Sequence, residues 1–255
     1  MAAETANSDV RPAPGPAAPA EVLRTLAATA AGLTAAAGPR LAVAPVGGRA
    51  AHHAADLRHA AAMPERRRAD FLAGRAALRR ALAAAGLAAD GPLLPGGRGP
   101  GLPPGASASL SHSRGLAVAL AAPAAGHPLL GVDLELNGPP AAAAHLVLGP
   151  DERAGLDPDA PGAAQYLLEC FSAKEAAFKA LSPRLGAALP GLRALRLAPA
   201  VPLADGWHAV ARARAGGPPV RVTVRRLAPG AVLSWALPAE PPVAPDEPCR
   251  EGTRR

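Results

Sequence analysis

The chain contains 255 residues, enough for one large domain or two small ones, and its net charge is +7 with a sequence pI of about 10.8. Only 2% of the residues are aromatic, which argues against a nucleic-acid binder and favours a phosphate-bearing small molecule or an acidic protein as partner. The two cysteines lack metal-ligand spacing, which argues against a disulfide framework and a structural zinc site. The sequence shows no membrane-spanning apolar run and no signal-peptide pattern, so we predict a cytoplasmic protein.

A first series of predicted elements follows a Pro- and charge-rich stretch at residues 1–20. We predict that this stretch is disordered and that an alanine-rich helix follows it as far as Gly38. The strongest helix pattern covers residues 64–86, with Pro64 near its start and Gly86 past its end. A Gly/Pro-rich loop, DGPLLPGGRGPGLPPG, separates this helix from two strand candidates, SASLS and LAVALAA.

A second series of the same kind fills the rest of the chain. A strand is predicted at residues 129–136, a long helix at about 162–182, and then four strand-like runs, LRALRLA, WHAVARARA, VRVTVRRL and AVLSWALP. We therefore predict an α+β fold of two similar α/β halves, residues 21–125 and 126–238, in a pseudo-two-fold arrangement, each with a long helix on a small, mostly antiparallel sheet. Residues 239–255 are predicted to be a second disordered tail.

Acidic residues in the predicted strand GVDLE and on the helix after it suggest a metal site. Asp133 and Glu135 are two residues apart, so both point to the same face of the strand. Such a pair is either a solvated strand face or a divalent-cation site, because Mg²⁺ takes oxygen ligands from a few carboxylates and from substrate phosphates. In the helix stretch FSAKEAAFKA, Glu175 shares one side with both phenylalanines and can supply a third oxygen. The alternative for Glu175 is an ion pair with Lys179, four residues on.

Hydroxyl and imidazole side chains end the first strand candidate, in SLSHS. Ser111, His112 and Asp133 are the residue types of a hydrolase triad, but the chain has no G-x-S-x-G turn and no obvious oxyanion-hole element. Ser111 and His112 suit a phosphate better, because a hydroxyl and an imidazole N–H both donate hydrogen bonds; the alternative for His112 is a structural role. The loop GGRGPG lacks the G-x-G-x-x-G spacing, and no Walker A sequence occurs.

Taken in order, these pieces resemble the 4′-phosphopantetheinyl transferases, specifically the monomeric, two-half type that serves siderophore, peptide and polyketide synthases. The resemblance runs from about Arg67 to Ser182 and rests on five segments: RRADFLAGRAALRRAL, GGRGPGLPPG, SLSHS, GVDLE and FSAKEAAFKAL. GVDLE and FSAKEAAFK, about 40 residues apart, form its most specific part. The loop after Arg98 departs from the family's usual Gly-x-Pro followed by Trp-Pro, and the two tails match nothing in the family pattern.

The resemblance implies an activity, a metal and a set of binding residues. Such enzymes transfer the phosphopantetheine arm of coenzyme A to a serine of an apo acyl or peptidyl carrier protein and release adenosine 3′,5′-bisphosphate. It implies Mg²⁺, or Mn²⁺ in its place, on Asp133, Glu135 and Glu175. Glu175 is also the candidate general base, and Lys179 is the second candidate catalytic residue. The residues implied to bind coenzyme A are Arg67, Arg75, Arg98, Ser111, His112, Lys174 and Lys179.

Two other functions are compatible with the same residues. The carboxylates also suit a metal-dependent hydrolase of a phosphoanhydride, which passes the arm to water. The positive charge also suits a basic, non-catalytic module that binds nucleic acid or an acidic protein, and Arg67 then belongs to a solvated basic turn with Arg66 and Arg68. Transfer to a carrier protein is the favoured interpretation, because phosphoryl transfer needs positioning and charge neutralisation and the nucleophile arrives on the partner.

Overall fold

The structure, a computed structural model, describes residues 19–35, 38–96 and 99–239. The predicted tails lie outside the described residues, except that the first helix already begins at Pro19, a residue that is favoured in the first turn of a helix. Arg98 also lies outside them. In the part of the chain that is described, no helix is long and apolar enough to cross a membrane.

The first half places its long helix on a three-stranded antiparallel sheet. Its elements are α1 Pro19–Ala35, β1 Arg40–Pro45, α2 Ala54–Ala61, α3 Glu65–Ala84, β2 Pro95–Gly96, β3 Gly99–Pro100, β4 Ala106–Ser113 and β5 Leu116–Pro123. The strand order is β1-β5-β4, so β4 is an edge strand, and β2 and β3 form a separate short ribbon.

The second half repeats this arrangement with a larger sheet. Its elements are β6 Gly131–Glu135, α4 Ala144–Val147, α5 Pro150–Ala154, α6 Ala163–Leu185, β7 Leu195–Leu197, β8 Val201–Leu203, β9 Gly206–Ala213, β10 Val220–Ala228 and β11 Ala231–Pro238. The antiparallel order is β6-β11-β10-β9-β7, with β8 paired to β9, so β6 is an edge strand too. The predicted α+β fold, with a long helix on an antiparallel sheet in each half, is confirmed.

The sequence pattern misses the short elements, which are β1, α2, β2, β3, α4, α5 and β8. The cap of α2 is unusual, because His53 accepts the hydrogen bond from Ala55 N that serine, threonine or aspartate commonly accepts. All three residues of β8 are exposed, so this strand has no apolar alternation. The run LRALRLA is predicted as one strand, but only Leu195–Leu197 is a strand, because residues 192–194 form a turn of 3₁₀-helix.

Small residues let both long helices lie close to their sheets. On α3, a row of buried alanines packs against Ala117, Ala119 and Ala121 of β5. On the other side of the molecule, a Cβ added to Gly131 of β6 would stand 1.9 Å from the carbonyl oxygen of Ala176. Only glycine fits at that position, so Gly131 sets how closely α6 approaches the strand that carries two of the candidate acids.

The two sheets meet where the edge strands β4 and β6 lie side by side, at residues 106–113 and 131–136, which we call the seam. Serine side chains join the strands there: Ser109 Oγ accepts from Val132 N at 3.0 Å, and Ser113 Oγ accepts from Leu136 N at 3.2 Å. Backbone strand pairing does not connect the two sheets within the described residues. Helix α1 covers both sheets on one side, with Leu26 in a core cluster drawn from both halves. The halves therefore form one body with side chains at the seam.

Candidate active site at the seam

A cleft of about 1010 Å³ opens beside the seam, between α3, β4 and α6, and we call it the seam cleft. The first half contributes Arg75 of α3 and the ribbon of β2 and β3, and the second half contributes Glu175 and Lys179 of α6. The full lining is Arg75, Gly96, Gly99, Pro100, Leu102, Ala108, Ser109, Leu110, Glu175, Phe178, Lys179, Ser182, Pro183 and Gly186. Basic and acidic side chains thus line one space that is large enough for a nucleotide cofactor.

Asp133 connects the seam to α6. It is only 2% exposed, and its Oδ1 accepts hydrogen bonds from Ser111 Oγ at 2.9 Å and from Lys179 Nζ at 2.7 Å. Lys179 Nζ also donates to Ser111 Oγ and to Val132 O, both at 3.2 Å, so each of its three protons has an acceptor. Strand β4 of the first half, strand β6 of the second and α6 therefore meet at one carboxylate and one ammonium group.

The charges of Asp133 and Lys179 affect the pKa values of two further carboxyl groups. Burial, followed by the charge of Asp133, raises the pKa of Glu135 to about 7; Glu175 adds to the rise, and Lys179 opposes it. Burial also raises the pKa of Glu175, with Lys179 opposing and Asp133 adding. The three acids and the ammonium group thus lie within electrostatic range of one another, and the acids disfavour one another's charge.

The donor atoms at this point fit a divalent cation. All of them are carboxylate oxygens, the ligands that Mg²⁺ and Mn²⁺ prefer, and Asp133 Oδ2 is buried without a hydrogen-bond partner. Within residues 19–35, 38–96 and 99–239, no three acidic, histidine or cysteine side chains converge closely enough to enclose a metal. The cation beside Asp133 in the structure is the ammonium group of Lys179. The acids therefore suit a cation, but one that binds with some rearrangement.

Arg75 is the cation that the first half presents to the cleft. It is only 6% exposed, and its guanidinium carbon lies 4.2 Å from the centroid of the Phe71 ring. Burial lowers the pKa of Arg75, while the charge of Asp56 opposes that shift. Its Nε is buried without a hydrogen-bond partner. A guanidinium with an unused donor at the wall of a cleft is suited to bind a phosphate.

Lys174 does not reach the seam cleft. Its ammonium group is fully buried and donates to Val147 O at 2.9 Å and to Glu152 Oε2 at 2.5 Å. The same Glu152 oxygen accepts from Gly149 N at 2.7 Å. The predicted contact between Lys174 and a phosphate does not fit this arrangement, because moving the ammonium group would leave Glu152 without its partner in a mostly buried position. Lys174 instead fixes α4 and α5 to α6.

Other predicted binding residues are spread around the cleft. Ser111 and His112 are neighbours on β4, so their side chains point to opposite faces: Ser111 is buried at the seam and His112 is exposed. Arg67 is exposed in the first turn of α3 and is not among the residues that line the cleft. Arg98 lies outside the described residues. Of the described basic residues, Arg67 and His112 are therefore not gathered with Arg75 at one wall of the cleft.

The face of α6 that carries Glu175 is not its most buried face. The fully buried positions of α6 include several alanines, which face the sheet, whereas Glu175 and Phe178 are half-buried and line the seam cleft. The phenylalanines that share a side with Glu175 therefore do not mark the face of α6 that packs on the sheet. A residue with a carboxylate suits an edge position better, because a buried charge without a partner is costly.

Ser109 and Ser113 are the seam residues that the sequence analysis does not assign. Together with Ser111 they follow a spacing of two, so the strand geometry alone places three hydroxyls on one face. Their partners lie on β6, more than 20 positions along the chain, and two of these partners are backbone N–H groups. The spacing could have indicated the shared face, whereas backbone partners leave no trace in the sequence.

Comparisons with known proteins agree on one family. A family model described as the 4′-phosphopantetheinyl transferase N-terminal domain matches residues 52–122, and one described as the 4′-phosphopantetheinyl transferase superfamily matches residues 129–205. Over 133 residues the chain is 41% identical to the 4′-phosphopantetheinyl transferase Svp of Streptomyces mobaraensis. That alignment covers 50% of this chain and 53% of the relative, so the chain spans about half the length of the curated relative that it matches.

Proposed function

Because the chain belongs to the 4′-phosphopantetheinyl transferase superfamily, we propose that it transfers the phosphopantetheine arm of coenzyme A to a serine of an apo acyl or peptidyl carrier protein. Adenosine 3′,5′-bisphosphate is the second product. The observation that carries the proposal is the seam cleft, whose lining includes Arg75 from the first half and Glu175 and Lys179 from the second. An anion held between metal-binding acids and fixed cations is the arrangement that phosphoryl transfer requires.

Coenzyme A carries its negative charge on a pyrophosphate and a 3′-phosphate, and the chain offers cations for both. We assign Arg75 to one phosphate group, because this side chain lines the cleft and a guanidinium can donate two parallel hydrogen bonds to a phosphate. Lys179 is assigned to the pyrophosphate, because it lines the same cleft next to the acids. Arg67, Arg98, Ser111 and His112 are further proposed contacts, which rest on the family motif.

Asp133, Glu135 and Glu175 are proposed to hold Mg²⁺, with Mn²⁺ as a substitute. When bound, the metal neutralises the charge that develops on the pyrophosphate oxygens. The acids contribute by their positions on two elements: Asp133 and Glu135 are fixed on β6 and Glu175 projects from α6. The close approach of α6 at Gly131 keeps these elements together.

The reaction needs no nucleophile from this chain, because the serine hydroxyl of the carrier protein attacks the β-phosphorus of coenzyme A. The new bond is Oγ–P, and the bond that breaks joins this phosphorus to the oxygen of adenosine 3′,5′-bisphosphate. We assign the serine proton to Glu175, whose pKa is raised by burial and which is thus a better base than an ordinary glutamate. Lys179 stabilises the charge on the departing phosphate.

One incubation distinguishes the three candidate functions. Purified protein, coenzyme A, Mg²⁺ and an apo carrier protein are combined, and the carrier mass is followed with time. Transfer adds the phosphopantetheine mass, a hydrolase releases adenosine 3′,5′-bisphosphate while the carrier mass stays constant, and a binding module does neither. A carrier with alanine in place of the acceptor serine is the matched control. Hydrolysis or no reaction with the serine carrier would refute the proposal.

The two roles of Glu175 separate in a metal titration. We expect Glu175→Gln to need more Mg²⁺ for half-maximal rate and to remain roughly a hundredfold slower at saturating Mg²⁺, because an amide cannot accept the serine proton. Initial rates at fixed excess of apo carrier measure both effects. Recovery of the wild-type rate at high Mg²⁺ would leave Glu175 as a ligand only, and an unaffected rate would remove both roles.

We further propose that the enzyme works as a monomer in the cytoplasm. The residues assigned to the cleft come from both halves of one chain, so a second copy is not needed to complete the site. The described cysteine, Cys170, is free and buried, which is typical of a protein from a reducing compartment. The family resemblance favours a carrier protein of siderophore, peptide or polyketide synthesis.

A further inference from the structure

Two different groups are partners for the ammonium group of Lys179. Under the proposed function it binds the pyrophosphate of coenzyme A, yet in the structure it is bonded to Asp133, an acid assigned to the metal. We propose that Lys179 serves as the resident cation of the free site and exchanges Asp133 for the pyrophosphate when coenzyme A enters, so that metal and coenzyme A bind cooperatively. This inference rests on the proposed function of the same cleft.

The geometry of Lys179 is that of a bound cation. Its Nζ is 2.7 Å from Asp133 Oδ1 and 3.2 Å from both Ser111 Oγ and Val132 O, so three oxygens surround it. The ammonium group thus neutralises the same carboxylate, Asp133, that a divalent ion would neutralise. A divalent ion at Asp133 would meet the charge of Lys179 at close range, and the two cations compete.

The side chain of Lys179 is partly exposed to the cleft, which sets it apart from the other lysine of the motif. It is 27% exposed and lines the seam cleft, whereas Lys174 is fully buried between Val147 and Glu152. A flexible four-carbon stem lets an ammonium group turn from one oxygen to another without movement of the helix. An anion in the cleft offers Lys179 a new partner while it releases Asp133.

The exchange predicts a thermodynamic coupling. Without coenzyme A, a metal on Asp133 shares this carboxylate with Lys179, whose other two hydrogen-bond acceptors are uncharged. With coenzyme A, the pyrophosphate accepts Lys179 and supplies further oxygens to the metal. Coenzyme A must therefore raise metal affinity, and the metal must raise coenzyme A affinity by the same factor. Removal of the ammonium group is expected to weaken this coupling.

The test measures Mn²⁺ binding without any carrier protein, from the electron paramagnetic resonance signal of free Mn²⁺. In Lys179→Met we expect Mn²⁺ to bind at least about tenfold more tightly than in the wild type when coenzyme A is absent, because a neighbouring opposite charge typically shifts a carboxylate equilibrium by one or more pKa units. The gain in Mn²⁺ affinity on adding coenzyme A is expected to be smaller in the variant. Unchanged or weaker Mn²⁺ binding by Lys179→Met overturns the inference.

Two variants separate exchange from simple charge repulsion. Arg184→Gln removes one positive charge from an exposed position on the same helix and is expected to leave Mn²⁺ affinity within about twofold. Lys179→Arg keeps the charge, and its planar group can take both Asp133 oxygens, so no tightening is expected. Equal tightening in Arg184→Gln, or in Lys179→Arg, overturns the inference. So does a gain in Lys179→Met that is the same with and without coenzyme A.

A folding defect does not block the test. Circular dichroism and thermal melting show whether Lys179→Met folds, and Lys179→Gln, which keeps a hydrogen-bond donor for Asp133, replaces it if it does not. The inference and the proposed function also fail separately. Tighter Mn²⁺ binding in the variant together with no phosphopantetheine transfer by the wild type would support the resident cation and refute the transferase. Transfer by the wild type with unchanged Mn²⁺ binding in the variant would do the reverse.

Discussion

The two halves share one build and carry opposite chemistry. Each places a long helix on an antiparallel sheet whose edge strand meets the other at the seam. In the first half, α3 contributes Arg75 to the cleft and β4 contributes uncharged serines. In the second half, β6 contributes Asp133 and Glu135, and α6 contributes a further acid. The first half is thus suited to bind an anion and the second to bind a cation.

This difference shows why the site is located between the halves. A magnesium–pyrophosphate group combines an anion and a cation: the second half offers the acids and Lys179, and the first half adds the guanidinium of Arg75. The seam is joined by side chains, and Lys179 of the second half bonds to Ser111 of the first. The contact between the halves and the proposed contact with the ligand therefore involve the same few atoms. Substitutions that affect only one half test this division.

The largest expected effect concerns the cation side. We expect Asp133→Asn to lower the rate of phosphopantetheine transfer by about a hundredfold or more, because the amide keeps the size of the side chain but loses the charge that holds the metal. The measurement is kcat/KM for the carrier protein at saturating coenzyme A, with a thermal melt to check folding.

Asp205→Asn is the matched control for that variant. Asp205 also lies in the second half and pairs with Arg225 at 2.8 Å, but its side chain is 59% exposed and is not among those that line the cleft. A surface ion pair of this kind contributes little, so its rate is expected to stay near that of the wild type. Equal rates for both variants would contradict the assignment of the cation side to Asp133.

The two lysines of α6 give the second prediction, which concerns stability. Lys174→Met is expected to lower the free energy of unfolding by about 3 kcal/mol, because Glu152 is left mostly buried without its partner. Lys179→Met also destabilises the protein, but Mn²⁺ is expected to restore most of the loss, because the metal replaces the missing cation at Asp133. The check is a urea titration with and without Mn²⁺. If Mn²⁺ also restored the free energy of unfolding of Lys174→Met, this result would contradict the separate roles of the two lysines.

These lysines also show how much of the site could be predicted from the sequence. The motif FSAKEAAFK correctly indicates a helix, and GVDLE correctly indicates a strand with two acids on one face. The same motif does not reveal that Lys174 and Lys179 point to different neighbours. Five residues on a helix turn the side chain by about 500°, or 140° from the first, so the two lysines lie on different faces. The partners of each lysine come from other elements, which are α4 and α5 for Lys174 and β4 and β6 for Lys179.

The secondary structure shows the same difference between elements that their own residues specify and elements that depend on distant partners. Long elements with an apolar pattern, such as α3, α6 and β10, were predictable because their own residues specify them. The short strand β8 and the helix α2 were not, because β8 exists through its pairing with β9 and α2 through an unusual histidine cap. The seam was not predictable either, since its hydrogen bonds join serines to a strand from the other half.

A third prediction tests the anion side. Arg75→Gln is expected to weaken coenzyme A binding by roughly ten- to a hundredfold, as for the loss of one charge-assisted contact. Arg80→Gln, on the same helix but bonded to Val43 O outside the seam cleft, is the control and should bind almost normally. His112→Ala should have a smaller effect than Arg75→Gln, because His112 is exposed on the other face of β4.

Isothermal titration with coenzyme A and with dephospho-coenzyme A measures this prediction. If Arg75 holds the 3′-phosphate, the wild type should discriminate between the two ligands and Arg75→Gln should not. If it holds the pyrophosphate, both ligands should lose affinity equally. Unchanged binding of both ligands by Arg75→Gln would place the anion clamp elsewhere and would break the contrast between the halves.

The smallest expected effect is a pH dependence on the cation side in metal-free protein. The pKa of Glu135 is about 7 in the folded protein against an ordinary value of 4.5, because of burial and the charge of Asp133. Between those pH values the folded state holds the proton more tightly than the unfolded state. The free energy of unfolding should therefore fall as pH rises from about 4.5 to about 7 and change no further above that, whereas Glu135→Gln lacks this contribution. Urea titrations of both proteins in EDTA give the difference, in which other titrating groups cancel. Solvent screening of the partly exposed carboxyl keeps the effect small. Parallel pH profiles would mean that the acids of the second half are not mutually repelled, and the cation side would lose its main electrostatic support.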